Sequence, residues 1–232
     1  MSKIDFIGIG APKCGTTWLS AQLEAHPQIG FAPAKEVYYF ADTILRRIAG
    51  KELHCFARGE AWYHEQFPPA GGTIRCRGEF CPAYLYSGEA AERIAAYRPE
   101  SKLLLCLRPP LEMIYSWYWY NRNAVIASLP DTFEAMMENP FLRDLGCYAR
   151  HLKPYLERFP EQNILIVQFD AMRRSPTTSG GASTNFWGST PISNRGSRRE
   201  RMRLARLAFL SFNPARSAST TAFPPFPGSA RF

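Results

Sequence analysis

Lys13, Thr16 and Thr17 fall within five residues in Phe6-Ile7-Gly8-Ile9-Gly10-Ala11-Pro12-Lys13-Cys14-Gly15-Thr16-Thr17-Trp18-Leu19. The apolar run reads as a buried strand, Gly10–Gly15 as a loop, and Thr16 onward as the first turn of a helix. That order aims several backbone N–H groups and a helix N-terminus at one spot, which is a site for an anion. The spacing Gly10-x-x-x-x-Gly15-x-Thr17 is that of the phosphate-cradling loop of nucleotide-binding proteins, with one part displaced. Where a lysine should follow the second glycine the chain has Thr16, and its lysine comes earlier, at Lys13. A second cation, Arg108, closes the apolar run Lys102–Leu107, and Ser116 follows eight residues later.

An NTPase would need the lysine after Gly15 to reach the terminal phosphates, and an acid at a strand end to help hold Mg²⁺. The later strand ends in Arg108 instead, and Asp170 closes a strand next to a tail of different character. Two cationic groups around an anion cradle suggest a doubly phosphorylated ligand bound without magnesium. An NTPase-type loop, as in a nucleotide kinase, and a plain glycine turn stay as the alternatives. Cys76 and Cys81 with His54 or His64 have poor spacing for zinc, and no metal site is expected.

Pro12-Lys13-Cys14-Gly15-Thr16-Thr17-Trp18-Leu19 resembles the 5′-phosphosulfate loop of sulfotransferases that use 3′-phosphoadenylyl sulfate (PAPS). Arg108 with Ser116 resembles that family's 3′-phosphate motif, a strand-end arginine followed by a serine on the next helix. The resemblance covers about residues 3–170. It implies a P-loop-like three-layer α/β/α fold, PAPS as the sulfuryl donor, and 3′,5′-adenosine bisphosphate as the product. It also implies cofactor contacts from Lys13, Cys14, Gly15, Thr16, Thr17, Trp18, Arg108 and Ser116. Ala34-Lys35-Glu36-Val37-Tyr38-Tyr39-Phe40 is similar to the segment that carries a catalytic glutamate in the heparan-sulfate-type and bacterial branches. By that likeness Glu36 is the general base and Lys13 the electrostatic catalyst at the leaving oxygen. An ordinary exposed ion pair with Lys35 is the other reading of Glu36. The implied acceptor is a hydroxyl or amine on a carbohydrate or small molecule.

The chain also departs from the family. Its Gly-Glu-x-x-Pro-x-Tyr segment is Gly78-Glu79-Phe80-Cys81-Pro82-Ala83-Tyr84, with Phe80 where some relatives have lysine. Pro109 follows Arg108 where Asp or Asn is common. The family's last helix, its Phe-Leu-Gly-Val-like segment and its basic closing loop over the nucleotide are not visible after residue 170. A chain that lacked them could bind the nucleotide without turning it over.

Positioning these residues takes strands alternating with helices, which argues for an α/β layer fold with a mainly parallel sheet. Strands are expected over Ile4–Gly10, Ile29–Phe31, Thr73–Phe80, Lys102–Leu107 and Asn163–Phe169. Helices are expected over Thr16–His26, on to about Ala49, near Glu60–Phe67, and from a Ser87 cap to Tyr97. Others run over Glu112–Asn121, from an Asp131/Glu134 capping box to Glu138, and over Asp144–Phe159, kinked or split at Pro154. Tyr115, Trp117, Tyr118, Trp119 and Tyr120 could line an acceptor pocket, but at helical spacing most of them read as core.

The net charge of +8 is local. Residues 1–170 hold 18 Lys/Arg and 19 Asp/Glu, whereas 171–232 hold 10 Lys/Arg and one acid, Glu200. Ser, Thr, Gly and Pro make up 27 of those last 62 residues, a composition expected of a disordered basic tail. Arg198–Phe212 is the one stretch there with helical character. The basicity therefore gives no reason to expect nucleic acid as the main partner. Read one nucleotide out of step, Ser183–Ser193 permits Asp-Glu-Phe-Leu-Gly-Val-Asp-Pro-Asp-Phe. That points to a frameshift near 171–183, which sequencing the locus would check. No apolar run reaches the roughly 18 residues of a membrane span. The opening residues read as entering a strand directly, without a secretory signal. The six scattered cysteines read as buried thiols in a cytoplasmic protein.

Overall fold

The computed structural model describes residues 3–41, 43, 53–123 and 129–170. Expectations placed on the remaining residues lie outside this range. These are most of the helix running to Ala49, the tail 171–232 with its Arg198–Phe212 stretch, and the frameshift region.

The five expected strands form one sheet: β1 (Phe6–Gly10), β2 (Ile29–Phe31), β3 (Cys76–Phe80), β4 (Lys102–Leu107) and β5 (Ile164–Gln168). All neighbours are parallel, in the order β2-β3-β1-β4-β5. β1 is buried at every position, as a central strand covered on both faces must be, so its sequence is a continuous apolar run without alternation. Its two short-range neighbours pack by reciprocal exchange. Phe6 pairs with Gly78 and Gly8 with Phe80, and a Cβ on either glycine would lie 2.3 Å from the opposing ring. Each phenylalanine thus occupies the space its partner glycine leaves empty, and any side chain at 8 or 78 would expel a ring.

Seven helices lie among the described residues: α1 (Thr16–Glu24), α2 (Gly59–Glu65), α3 (Ala90–Tyr97), α4 (Pro110–Asn123), α5 (Phe133–Met137), α6 (Pro140–Asp144) and α7 (Tyr148–Arg158). From β1 the chain moves to one side of the sheet, toward β2; from β3 and from β4 it moves to the other. Right-handed crossovers then put α1 on one face and α3 and α7 on the opposite face. The packing of α3 on α7 and of α1 on β2 and β3 agrees with this three-layer arrangement. Ligands of such sheets bind beyond the carboxyl ends of strands whose connections diverge. Here those strands are β1 and β4, which end at the Gly10–Gly15 loop and at Arg108.

Several local expectations are corrected. Ser87 does not cap α3: the helix opens after Glu89, and the Ser87 hydroxyl is buried without a hydrogen-bond partner. α5 is capped one residue later than expected, by the Thr132 hydroxyl, which accepts from the Ala135 N–H at 3.1 Å. Asp131 points outward to Arg122, 3.4 Å away. The helix expected over 144–159 breaks at Leu145–Cys147, not at Pro154, which sits inside α7. Gly146 passes so close to α4 that an added Cβ would be 3.0 Å from Ile114. Burial of Tyr148, Leu152 and Tyr155 along one face holds α7 together across the proline, because packing outweighs one missing backbone bond. On α4, Tyr118 is buried and Trp117 packs on the core, but Tyr115, Trp119 and Tyr120 are exposed. The core reading of that aromatic series therefore fails for three of its five members.

Candidate active site at the carboxyl edge of the sheet

The loop after β1 is drawn tight against β4 by a hydrogen bond from the Ala11 N–H to the Cys106 carbonyl, 2.8 Å long. Gly15 has φ 82° and precedes α1, which has no side-chain cap and no acid in its first turn. The N–H groups of that turn are therefore left without a side-chain acceptor, a condition that favours an anion. Lys13 lies in the same loop at φ 60°, a left-handed conformation that costs a non-glycine residue about 1 kcal/mol or more. That strain turns its side chain onto the face of Tyr120, with Nζ 3.8 Å from the ring centroid. Burial pushes the Lys13 ammonium below its ordinary pKa, and the charges of Lys35 and Arg108 push it further the same way. Three cations therefore share one region.

One face of α4 looks onto this region. Glu112, Ser116 and Tyr120 follow each other at intervals of four, so they stack along one line of the helix. At the near end Glu112 accepts from Arg108 Nε at 3.0 Å; at the far end Tyr120 covers Lys13. Ser116, half-buried, lies between them. Arg108 is also stacked on Phe169, 4.8 Å from the ring centroid. The two motifs, separated by more than ninety residues of sequence, thus meet across one gap between β1 and β4.

The Cys14 side chain turns away from this gap. It is fully buried, 3.7 Å from the Tyr148 hydroxyl, and burial pushes its thiol up to about 11 against the pull of Tyr148 and the Arg108 backbone N–H. Of Cys14, then, only the backbone can take part in binding. Thr16 is buried at the head of α1, Thr17 is exposed, and Trp18 packs partly on the core.

Glu36 reaches the site from the segment after β2. It has φ 65° and Tyr38 φ 57°, and the resulting loop lets the Tyr38 hydroxyl donate to Glu36 Oε2. The Tyr38 phenol is held far above its usual range, first by burial, then by Cys81 and Glu36, so it remains a donor at any working pH. Lys35 lies 3.9 Å from Glu36 Oε1 and donates to Thr17 Oγ1 at 2.7 Å. This last bond ties the glutamate segment to the first turn of α1. Sequence reasoning did not foresee the roles of Tyr120 or Lys35 at this edge. Both depend on where separate segments meet, although the four-residue spacing of Ser116 and Tyr120 was a readable signal.

Beneath this edge lies a second carboxylate. Glu79, fully buried in β3, accepts from the hydroxyls of Tyr63 at 2.7 Å and Tyr84 at 2.9 Å. Burial raises its pKa to about 7, while the two tyrosines and the Val37 N–H pull it partway back. Tyr84 in turn accepts from the Phe40 N–H at 3.5 Å, so the network supports the strand-to-loop segment that carries Glu36. Among the described residues no group of His, Cys, Asp and Glu is placed to hold a metal ion, and no helix is long and apolar enough to cross a membrane.

The chain matches the family described as "Sulfotransferase domain" over residues 3–222, past the compositional break near 171. It is 30% identical over 208 residues to the bifunctional heparan sulfate N-deacetylase/N-sulfotransferase 3 of Mus musculus, an alignment covering 82% of this chain and 23% of that protein. It is 29% identical over 197 residues to the heparan sulfate glucosamine 3-O-sulfotransferase 3B1 of Homo sapiens, covering 78% of this chain and 45% of that one. The chain thus spans less than half the length of both curated relatives. In fold it is similar to the sulfotransferase of Alicyclobacillus acidocaldarius, with a TM-score of 0.67, 23% identity and coverage of 90% of this chain and 93% of that one. With a match over nearly its whole length and its Gly10–Gly15 loop and strand-end arginine at one edge of a parallel sheet, the chain belongs to the sulfotransferase domain family.

Proposed function

We propose that this protein transfers a sulfuryl group from PAPS to a hydroxyl or amine on a carbohydrate or small-molecule acceptor. The observation that carries the reading is the α4 face Glu112–Ser116–Tyr120, set between Arg108 and Lys13 and opposite the uncapped start of α1. It sets a cation at each end of that face, Arg108 (paired with Glu112) and Lys13, as a nucleotide with separate 3′- and 5′-anionic groups would require. The donor chemistry fits: Arg108 and Ser116 would hold the 3′-phosphate, and Thr16, Thr17 and the loop N–H groups from Cys14 to Trp18 the 5′-phosphate. Bound, the nucleotide supplies the sulfuryl group, which passes from its 5′-phosphate oxygen to the acceptor oxygen or nitrogen.

Glu36 takes the acceptor's proton. Support for this role comes from its left-handed backbone, its partial exposure and the Tyr38 donor that fixes one carboxylate oxygen. Lys13 offsets the charge that develops on the leaving oxygen, and the stacked Tyr120 ring restricts where its ammonium can go. We take 1–170 as the catalytic body and 171–232 as a basic tail, on the compositional break alone. The six cysteines, none of them in a disulfide, suit a reducing compartment and hence the cytoplasm.

Calorimetric titration with 3′,5′-adenosine bisphosphate and, separately, ATP with Mg²⁺ tests the reading. The bisphosphate should bind, and Lys13→Ala and Arg108→Ala should each weaken it about tenfold or more, as loss of a charge-assisted bond does. Unchanged affinity in both variants, or preference for ATP with Mg²⁺, would overturn it.

A further inference from the structure

The cations at this edge are arranged against their own electrostatics. Lys13, Lys35 and Arg108 converge, and Lys35 places its ammonium on Thr17 at the start of α1. A helix N-terminus carries partial positive charge and repels a lysine. Glu36, 3.9 Å away, is the acid that Lys35 pairs with among the described residues. Nor is the position forced by burial, since the side chain is nearly half exposed and could extend into water. Such a cluster is stabilised when an anion enters it.

β3 does not supply a cation here. Phe80 is fully buried, and its ring fills the space over Gly8, so position 80 belongs to the core. Lys35 comes from the other side of the site. It lies between Thr17, on the side of the phosphate cradle, and Glu36, on the side of the acceptor. A group in transit from phosphate to acceptor passes between those two residues.

We infer that Lys35 is a catalytic residue, the second cation of the site, whose ammonium binds the sulfuryl oxygens of the donor. The inference rests on the proposed sulfuryl-transfer reading. Lys35 keeps its three protons throughout and offsets the charge of the sulfuryl oxygens, while the acceptor's proton goes to Glu36. Because its partner is the sulfuryl group, Lys35 contributes to binding of PAPS and little to binding of the bisphosphate product, which has no sulfuryl group.

The test measures affinity for both nucleotides by calorimetry without acceptor, and turnover with acceptor, for the full chain and for Lys35→Met and Lys35→Arg. Lys35→Met should bind PAPS about tenfold more weakly while its affinity for 3′,5′-adenosine bisphosphate changes less than about threefold, and its kcat should fall about 100-fold. Lys35→Arg, which keeps the charge in a different shape, should recover most of the lost PAPS affinity. A Lys35→Met chain that loses affinity equally for both nucleotides, or for neither, would overturn the inference and leave the proposed function standing. A wild-type chain that binds neither nucleotide would overturn the proposed function and this inference with it.

Discussion

Glu36 and Glu79 leave adjacent strands of one sheet, and each accepts a hydrogen bond from tyrosine, yet their surroundings differ in nearly every other respect. Glu79 is sealed in the core between Tyr63 and Tyr84, where burial holds its pKa at about 7. Glu36 stands on a left-handed backbone beside a lysine and is partly exposed, at 29% of its side chain. A carboxylate meant to accept a proton from an incoming group has to be reachable, and its position has to be held by strain and by a donor such as Tyr38. A carboxylate meant to hold a scaffold together is better neutral and enclosed, because a buried charge is costly without a counter-charge. On the proposed reading the edge of the sheet would carry the reaction, while the tyrosine network below it supports the segment that bears Glu36.

The sharpest test of this division is Glu36→Gln. It should lower turnover by about 10²- to 10⁴-fold, the usual worth of a general base, and leave the melting temperature unchanged because the side chain supports no core packing. Turnover within about threefold of wild type would remove Glu36 from the reaction.

For Glu79 the expected effect is on stability and its pH dependence. Its pKa is higher folded, at about 7, than in an unfolded chain, where a glutamate titrates near about 4.3. Between those values the folded state holds a proton that the unfolded state has released, so stability falls as pH rises through this window. The full loss, about 4 kcal/mol, is present above pH about 7 and absent below about 4. Glu79→Gln keeps an acceptor for the two tyrosines and removes the titration. Denaturant midpoints taken from pH 4 to 8 should therefore show a flatter profile in the variant. A wild-type profile with no decline over that range would contradict the buried, neutral reading.

Smaller effects separate the same two regions more finely. Tyr38→Phe removes the donor to Glu36 but keeps the ring, and should cost about fivefold in turnover, the worth of one hydrogen bond of about 1 kcal/mol. A drop in melting temperature with turnover preserved would instead assign Tyr38 to the scaffold. The smallest effect is expected at Trp119, exposed on α4. Trp119→Ala should change stability by no more than about 0.5 kcal/mol in a denaturation experiment, and a larger loss would mean that the ring is covered after all.

Much of this was readable in the chain. The five strands, the phosphate loop and the strand-end arginine are local patterns: a buried strand needs a continuous apolar run, and a loop that cradles an anion needs glycines at set intervals. Those constraints act over a few residues and leave a trace in sequence. Ser87 and Asp131 were misread as caps and Pro154 as a break because caps and breaks depend on which competing neighbour wins, and packing around Gly146 and along α7 decided the last of them. The exposure of Tyr115, Trp119 and Tyr120 was equally hidden, since a helical repeat shows that a face exists and not what covers it.

For the opening loop, sequence alone displayed the glycine spacing of an anion cradle, with its lysine displaced to position 13 and Arg108 as a second cation. Only the tertiary structure showed where that lysine goes, under Tyr120 of α4, and that Lys35 from beyond β2 joins it and Arg108. The physical reason is range. Backbone conformation is dictated by immediate neighbours, whereas the charge at a point in space is the sum over segments far apart in the chain, brought together only by the order of strands in the sheet.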